Sequence, residues 1–173
     1  SGQHGQVLPA PPSPPRQARV RRPPRAPAGP DCARARTPLV ACYAAVVVAC
    51  MDGRFREATD YFTDETFGRA SVDTILVPGA SLTLVQGGQA AANLIDGLAL
   101  AWRAHGVRRL VILEHEDCGK YAQAGRSNDP SSHRRVADEA AAILRGRGLP
   151  FVVDYGFLTL GHAACVGRAR RTG

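Results

Sequence analysis

The sequence lacks any long apolar run. No stretch of its 173 residues approaches the roughly 18 consecutive apolar residues that a membrane-spanning helix needs. Its beginning also lacks the basic-then-apolar pattern of a secretory signal peptide. These absences argue against a bilayer protein and against a classically secreted one, so we expect a cytoplasmic protein without a membrane span.

Cysteine is too sparse and too irregularly placed for a disulfide scaffold. The chain has five cysteines, an odd number, and is long enough to bury a hydrophobic core without cross-links. We therefore expect these thiols to be free, catalytic or bound to a metal.

Acidic and aromatic residues are almost missing from the first forty positions. Asp31 is the single acid there against seven arginines, so this stretch carries 7 − 1 = +6 of the net charge of +7. Because nine of the thirteen prolines lie in the first thirty residues, the segment cannot bury enough surface to offset its chain entropy. We predict a disordered Pro/Arg-rich arm over residues 1–38 and one folded domain over 39–173. The arm is either a linker or a tether that binds an acidic protein surface or nucleic acid, and it lacks aromatics for stacking on bases.

Apolar runs alternate with helical patterns over the rest of the chain. The predicted strands are Ala44–Cys50, Thr74–Val77, Leu82–Gln86, Arg109–His115 and Pro150–Tyr155. The predicted helices are Gln89–His105 and Ser131–Gly146. This alternation predicts an α/β fold with a mainly parallel β-sheet flanked by helices, in which ligands bind beyond the carboxyl ends of the strands.

Two reactive clusters follow the ends of predicted strands. Cys50 ends one strand, His115 ends another, and Cys118 follows His115 by three positions. Since parallel strands end at the same edge of a sheet, the three side chains can converge. Two thiolates and an imidazole suit Zn²⁺, and three protein ligands leave a fourth position open, as in catalytic zinc sites. Taken singly, each residue is more simply a core cysteine or a satisfied histidine.

The remaining cysteines and histidines fit a metal site poorly. Cys32 falls in the predicted arm, and neither Cys42 nor Cys165 has a histidine or cysteine at ligand spacing. We interpret His105 as a helix-end residue and His162 as a loop residue.

Asp52 and Arg54 follow Cys50 by two and four positions. At that spacing we expect the carboxylate and the guanidinium to pair, which would keep Asp52 ionised and let it orient a metal-bound water. Alternatively, Asp52 occupies the fourth zinc position and closes the site. The simplest alternative is a surface ion pair without a catalytic role.

The segments Cys-Met-Asp-Gly-Arg at 50–54 and His-Glu-Asp-Cys-Gly at 115–119 together resemble the β-class carbonic anhydrases, which carry CxDxR and HxxCG at two strand ends. The resemblance covers Ala44–Tyr155 and implies that family's fold. It implies Cys50, His115 and Cys118 as zinc ligands, with Asp52 and Arg54 as the catalytic pair. The implied reaction is the reversible hydration of carbon dioxide to bicarbonate by a metal-bound hydroxide, and the implied assembly is a homodimer.

The same residues leave two other functions open. A related zinc hydrolase of carbonyl sulfide or carbon disulfide would use the same attack on a linear substrate. A non-catalytic scaffold would keep zinc as a structural element and be recruited through its basic arm.

At the predicted strand end Leu84–Gly88 the chain departs from the resembled family, which typically has Arg-Asn-Ala-Gly there.

Overall fold

The computed structural model describes residues 43–68, 71–160 and 162–168. The predicted arm, with Cys32, lies outside these ranges, and so do the ends of the predicted domain, with Cys42. The division of the chain into an arm (1–38) and a domain (39–173) therefore stays a prediction.

Within the described ranges the chain forms one five-stranded sheet with helices on both faces. The strands are β1 (Tyr43–Cys50), β2 (Ser71–Val77), β3 (Arg109–His115), β4 (Val152–Thr159) and β5 (His162–Arg168). The helices are α1 (Arg56–Phe67), α2 (Ser81–Gln86), α3 (Gly88–Arg103), α4 (Gly119–Gln123) and α5 (Pro130–Gly146), with a 3-10 helix at Gly53–Phe55 before α1.

The sheet order is β2-β1-β3-β4-β5. The pairs β1–β2, β1–β3 and β3–β4 are parallel, whereas β5 runs antiparallel to β4 at the edge. Four parallel strands flanked by helices confirm the predicted α/β class. This order places the carboxyl ends of β1 and β3 side by side.

The central strand β1 is apolar because both of its faces are covered. Successive side chains of a strand point to opposite faces. Val46 and Val48 belong to the core that α2, α3 and α5 cover, while Val47 and Ala49 pack with Phe62 of α1 on the other face. Pairing with β2 and β3 on its two sides fixes the register of β1 and places Cys50 opposite Val77.

One predicted strand is wrong, because Leu82–Gln86 lies in α2. A short, buried apolar run has the same pattern in a strand and in a helix, and here α2 packs against α3 and α5. The strand next to Cys50 therefore ends at Val77, and the comparison with Arg-Asn-Ala-Gly at Leu84–Gly88 was made at a position that is not a strand end.

Helices α1 and α4, the 3-10 helix and strand β5 were not predicted. Helix α1 has a largely polar sequence, of which only Thr59 and Phe62 are buried, so its apolar periodicity is weak. Strand β5 begins at His162, which corrects the interpretation of His162 as a loop residue. No helix in the described part of the chain is long and apolar enough to cross a membrane.

Candidate metal centre

The ends of β1 and β3 bring the predicted ligands to one edge of the sheet. Cys50 is the last residue of β1 and His115 is the last residue of β3. These neighbouring parallel strands are in register, with Ala49 opposite Leu113. After His115 the chain makes a tight turn in which Asp117 takes a left-handed φ of 53°, and this turn carries Cys118 back toward the strand ends.

Cys50, His115 and Cys118 form a cluster whose ligand atoms all lie within 4.8 Å of one another. The two Sγ atoms are 4.0 Å apart. Two sulfurs at about 2.3 Å from a tetrahedral zinc are separated by about 3.8 Å, so the observed spacing fits one shared ion. The structure thus brings together all three residues that the sequence nominated as metal ligands.

The His115 ring presents an unused nitrogen to this cluster. Its Nδ1 lies 2.7 Å from the carbonyl oxygen of Glu116 and donates a hydrogen bond to it. That bond leaves the lone pair on Nε2, and this buried Nε2 has no hydrogen-bond partner among the described residues. A buried polar atom without a partner is costly. An imidazole whose other nitrogen is held by a carbonyl has the arrangement usual for metal-binding histidines, so His115 fits a metal.

The Cys50 sulfur is set up as a thiolate. The hydrogen bond from Cys118 is the largest influence that lowers the pKa of Cys50, to about 4, and the backbone N–H of Gly79 lowers it further against the opposing effect of burial. The Gly79 nitrogen is 3.3 Å from Sγ. Beside that anion, the pKa of Cys118 is raised. The metal-free pair therefore keeps one proton, which a bound cation would displace.

Gly79 is required for this contact to Cys50. Its φ of +70° is in the left-handed region, and a Cβ at this position would lie 2.8 Å from Cγ of Lys120. A side chain here would be both strained and crowded.

Asp52 and Arg54 are joined as the sequence predicted. The Nη2 of Arg54 is 2.7 Å from Oδ2 of Asp52, and the backbone N–H of Arg54 donates to Oδ1 at 3.0 Å. Asp52 is also the N-cap of the 3-10 helix. The side-chain hydrogen bond from Arg54, followed by its backbone N–H, lowers the pKa of Asp52 to about 2. The carboxylate is therefore ionised near neutral pH and is occupied by Arg54.

One partner of Arg54 was missed by the sequence reasoning. Its Nη1 lies 3.0 Å from Oδ2 of Asp117, and its Nη2 lies 3.1 Å from the Asp117 carbonyl oxygen. Arg54 therefore links the segment after Cys50 with the turn before Cys118. Asp117 stands inside the HxxC segment, but its contact depends on a turn that spacing alone does not specify.

A cleft of about 80 Å³ opens beside Cys50. Its lining includes Asp52, Leu76 of β2 and the exposed Met51. This volume accommodates water and a small molecule of a few heavy atoms, and it is well below the 300 Å³ or more of drug-sized sites.

His105 takes no part in the cluster. Its Nδ1 pairs with Oδ2 of Asp73 at 2.7 Å, and its ring stacks on Tyr43 at the other end of the sheet. This agrees with the interpretation of His105 as a structural residue just beyond a helix end.

The chain is similar to known proteins in sequence and in fold. An uncharacterised protein of Rickettsia bellii is 22% identical over 124 residues, which cover 66% of this chain and 75% of that protein. Among solved structures, a β-carbonic anhydrase of Trichomonas vaginalis has a TM-score of 0.51 at 15% identity, covering 72% of this chain and 81% of that one.

Two further structures have the same fold. A tetrameric β-carbonic anhydrase of Sordaria macrospora has a TM-score of 0.51 at 13% identity, covering 73% of this chain and 80% of that one. The apo form of a carbon disulfide hydrolase has a TM-score of 0.50 at 14% identity, covering 76% of this chain and 80% of that one. The family model described as "Putative carbonic anhydrase" matches residues 41–154, well over half of the sequence, and the chain belongs to that family.

Proposed function

We propose that this protein catalyses the zinc-dependent, reversible hydration of carbon dioxide to bicarbonate. The observation that carries the proposal is the cluster of Cys50, His115 and Cys118, with ligand atoms within 4.8 Å of one another and an unpartnered Nε2 on His115. Zinc in such a site lowers the pKa of a coordinated water to about 7 and so supplies a nucleophile at neutral pH.

Asp52 and Arg54 are proposed to orient the reaction. Arg54 keeps Asp52 ionised and holds both of its carboxylate oxygens. Asp52 would then accept a hydrogen bond from the reacting water, and this bond would fix the direction of the lone pair on the water oxygen. Because Arg54 holds the carboxylate away from the three-residue cluster, we propose that Asp52 does not fill the fourth zinc position and that the site is open.

The proposed substrate is carbon dioxide, which matches the small cleft beside Cys50. The fold itself does not select this substrate, since β-carbonic anhydrases and a carbon disulfide hydrolase are similar to this chain to the same degree. The residues that line the cleft, including Met51 and Leu76, determine which linear molecule fits.

The experiment compares turnover of three substrates by the zinc-loaded protein. We expect stoichiometric zinc, rapid hydration of carbon dioxide, and much slower hydrolysis of carbonyl sulfide and carbon disulfide. Faster turnover of either sulfur compound would identify the related hydrolase instead. Stoichiometric zinc without turnover of any of the three would identify a zinc-stabilised scaffold.

We also propose that the protein is a cytoplasmic homodimer and that its basic arm, residues 1–38, binds an acidic protein surface. Support for an oligomer comes from the tetrameric enzyme of Sordaria macrospora, which has the same fold. Light scattering of the protein would give the mass of its assembly.

Deleting residues 1–38 should leave turnover unchanged while weakening binding to an acidic protein at low salt.

A further inference from the structure

A fully buried carboxylate lies directly beneath the proposed zinc site. Glu114 precedes His115 in β3 and therefore points to the opposite face of the sheet, toward α2 and α5. Its side chain is completely buried. Burying an ionisable group in an apolar strand is costly unless it is fully hydrogen-bonded, so its partners indicate why it is there.

Each oxygen of Glu114 has its own partner. Oε1 accepts from the backbone N–H of Ser81 at 3.0 Å and from the Ser81 hydroxyl. Oε2 lies 3.1 Å from Nδ1 of His133, which is itself completely buried in α5. The rings of His133 and Tyr121 stack at 3.6 Å between centroids. Packing and hydrogen bonding together fix the orientation of His133.

The chain of contacts continues from His133 to a proposed zinc ligand. Nε2 of His133 lies 3.3 Å from Oδ1 of Asn128, and the same Oδ1 accepts the backbone N–H of Cys118 at 2.8 Å. A backbone N–H can only donate, so the Asn128 atom facing Cys118 must be the oxygen. His133 Nε2 is then the donor of this hydrogen bond.

A second branch reaches the other sulfur. Ser81 follows the turn Pro78–Ala80, in which Gly79 donates its N–H to Cys50 Sγ at 3.3 Å. Ala80 has a positive φ of 41°, a strained conformation for a residue with a Cβ. The bonds from Ser81 to Glu114 hold this turn in place. Glu114 therefore connects the supports of both cysteines.

We propose that His133 and Asn128 are positioning residues that orient Cys118 for metal binding, with Glu114 holding His133. The inference rests on the proposed metal site and adds the residues that shape it. It does not depend on which substrate is turned over, because it concerns the geometry of the sulfur ligand.

Asn128 is the residue to change, since it lies in a partly exposed loop, whereas Glu114 and His133 are completely buried. Asn128→Ala removes the acceptor shared by Cys118 and His133, whereas Asn128→Asp keeps an oxygen in the same place. The matched control is Asn93→Ala, which removes an exposed asparagine that pairs with Gln89 on α3. Each protein is titrated with Co²⁺ in competition with a chromogenic chelator, and the thiolate-to-cobalt charge-transfer absorption is recorded.

We expect Asn128→Ala to bind Co²⁺ about 10- to 100-fold more weakly, the usual effect of losing a partner of a metal ligand, with an altered charge-transfer band. Asn128→Asp should bind within about threefold of the unchanged protein, as should the Asn93→Ala control. Equal affinity and an identical band for Asn128→Ala would overturn the proposal.

Nitrogen-15 NMR of the histidine rings provides the second measurement, and it needs no substitution in the core. A protonated Nε2 on His133 is expected, and an unprotonated one would contradict the chain of contacts to Asn128. If the unchanged protein binds Co²⁺ but does not hydrate carbon dioxide, the proposed function fails while these measurements still decide the positioning role.

Discussion

The guanidinium of Arg54 binds the carboxylate of Asp117 across 63 positions of sequence, with 3.0 Å between Nη1 and Oδ2. The same guanidinium holds Asp52 at 2.7 Å. One side chain therefore links the strand end that carries Cys50 to the turn that carries Cys118. Arginine suits this role because its planar group presents several donors in a fixed geometry, whereas lysine is a single flexible point charge.

The substitution Arg54→Lys should lower kcat/KM for carbon dioxide hydration by about 10-fold or more. Lysine keeps the charge but cannot donate to Asp52 and Asp117 together. The measurement is stopped-flow hydration with the zinc content determined on the same samples. Arg134→Lys, which alters the pairing with Asp138 on α5, is the matched control and should retain the full rate. Unchanged turnover in Arg54→Lys would remove the proposed role of this link.

Asp52→Asn should keep stoichiometric zinc and lose about 10- to 100-fold in turnover. The amide can no longer accept at both oxygens, so the reacting water loses its orientation. Asp138→Asn, which weakens a comparable Arg–Asp pair away from the site, should leave turnover intact. Full rate together with full zinc in Asp52→Asn would show that the pair is only a surface ion pair.

The Asp52–Arg54 pair should also make a small, pH-dependent contribution to stability. Folding lowers the pKa of Asp52 from its ordinary value of about 3.9 to about 2. The stabilisation is therefore present above about pH 4 and is lost as the pH falls toward 2. Because the pair is partly exposed, we expect less than about 1 kcal/mol. Urea unfolding of the metal-free protein and of Asp52→Asn should show a difference at pH 5 that vanishes near pH 2. A difference that grows on acidification would contradict this.

Cys50→Ser should reduce zinc affinity by at least about 100-fold, because a serine hydroxyl is a poor ligand for Zn²⁺ compared with a thiolate. Carbon dioxide hydration should fall with the zinc content. The matched control is Cys32→Ser, at a position outside the family match at residues 41–154, and it should bind zinc normally. Stoichiometric zinc in Cys50→Ser would mean that the ligand set is wrong.

The cluster was predictable because its positions follow from a general rule. Buried apolar runs reveal parallel strands, and the carboxyl ends of parallel strands meet at one edge. Cys50 and His115 each close such a run, so their proximity required no knowledge of the turns. The pairing of Asp52 with Arg54 was likewise local, since they are two positions apart in the sequence.

The features that were missed depend on tertiary contacts. Leu82–Gln86 is apolar enough for a strand and becomes a helix because α2 packs against α3 and α5. His133 and Glu114 are 19 positions apart, and neither residue alone indicates that the two side chains are in contact. A single acid inside the apolar run of β3 was nevertheless a signal, because a buried carboxylate needs a partner. The sequence does not indicate which residue supplies that partner.

X-ray absorption at the zinc edge of the purified full-length protein tests the central claim most directly. The account predicts one zinc per chain with two sulfur neighbours at about 2.3 Å, one imidazole nitrogen and one further light atom from water. Loss of one sulfur neighbour is predicted for Cys50→Ser. A coordination shell without two sulfurs, or a protein that binds no zinc at all, would contradict the account.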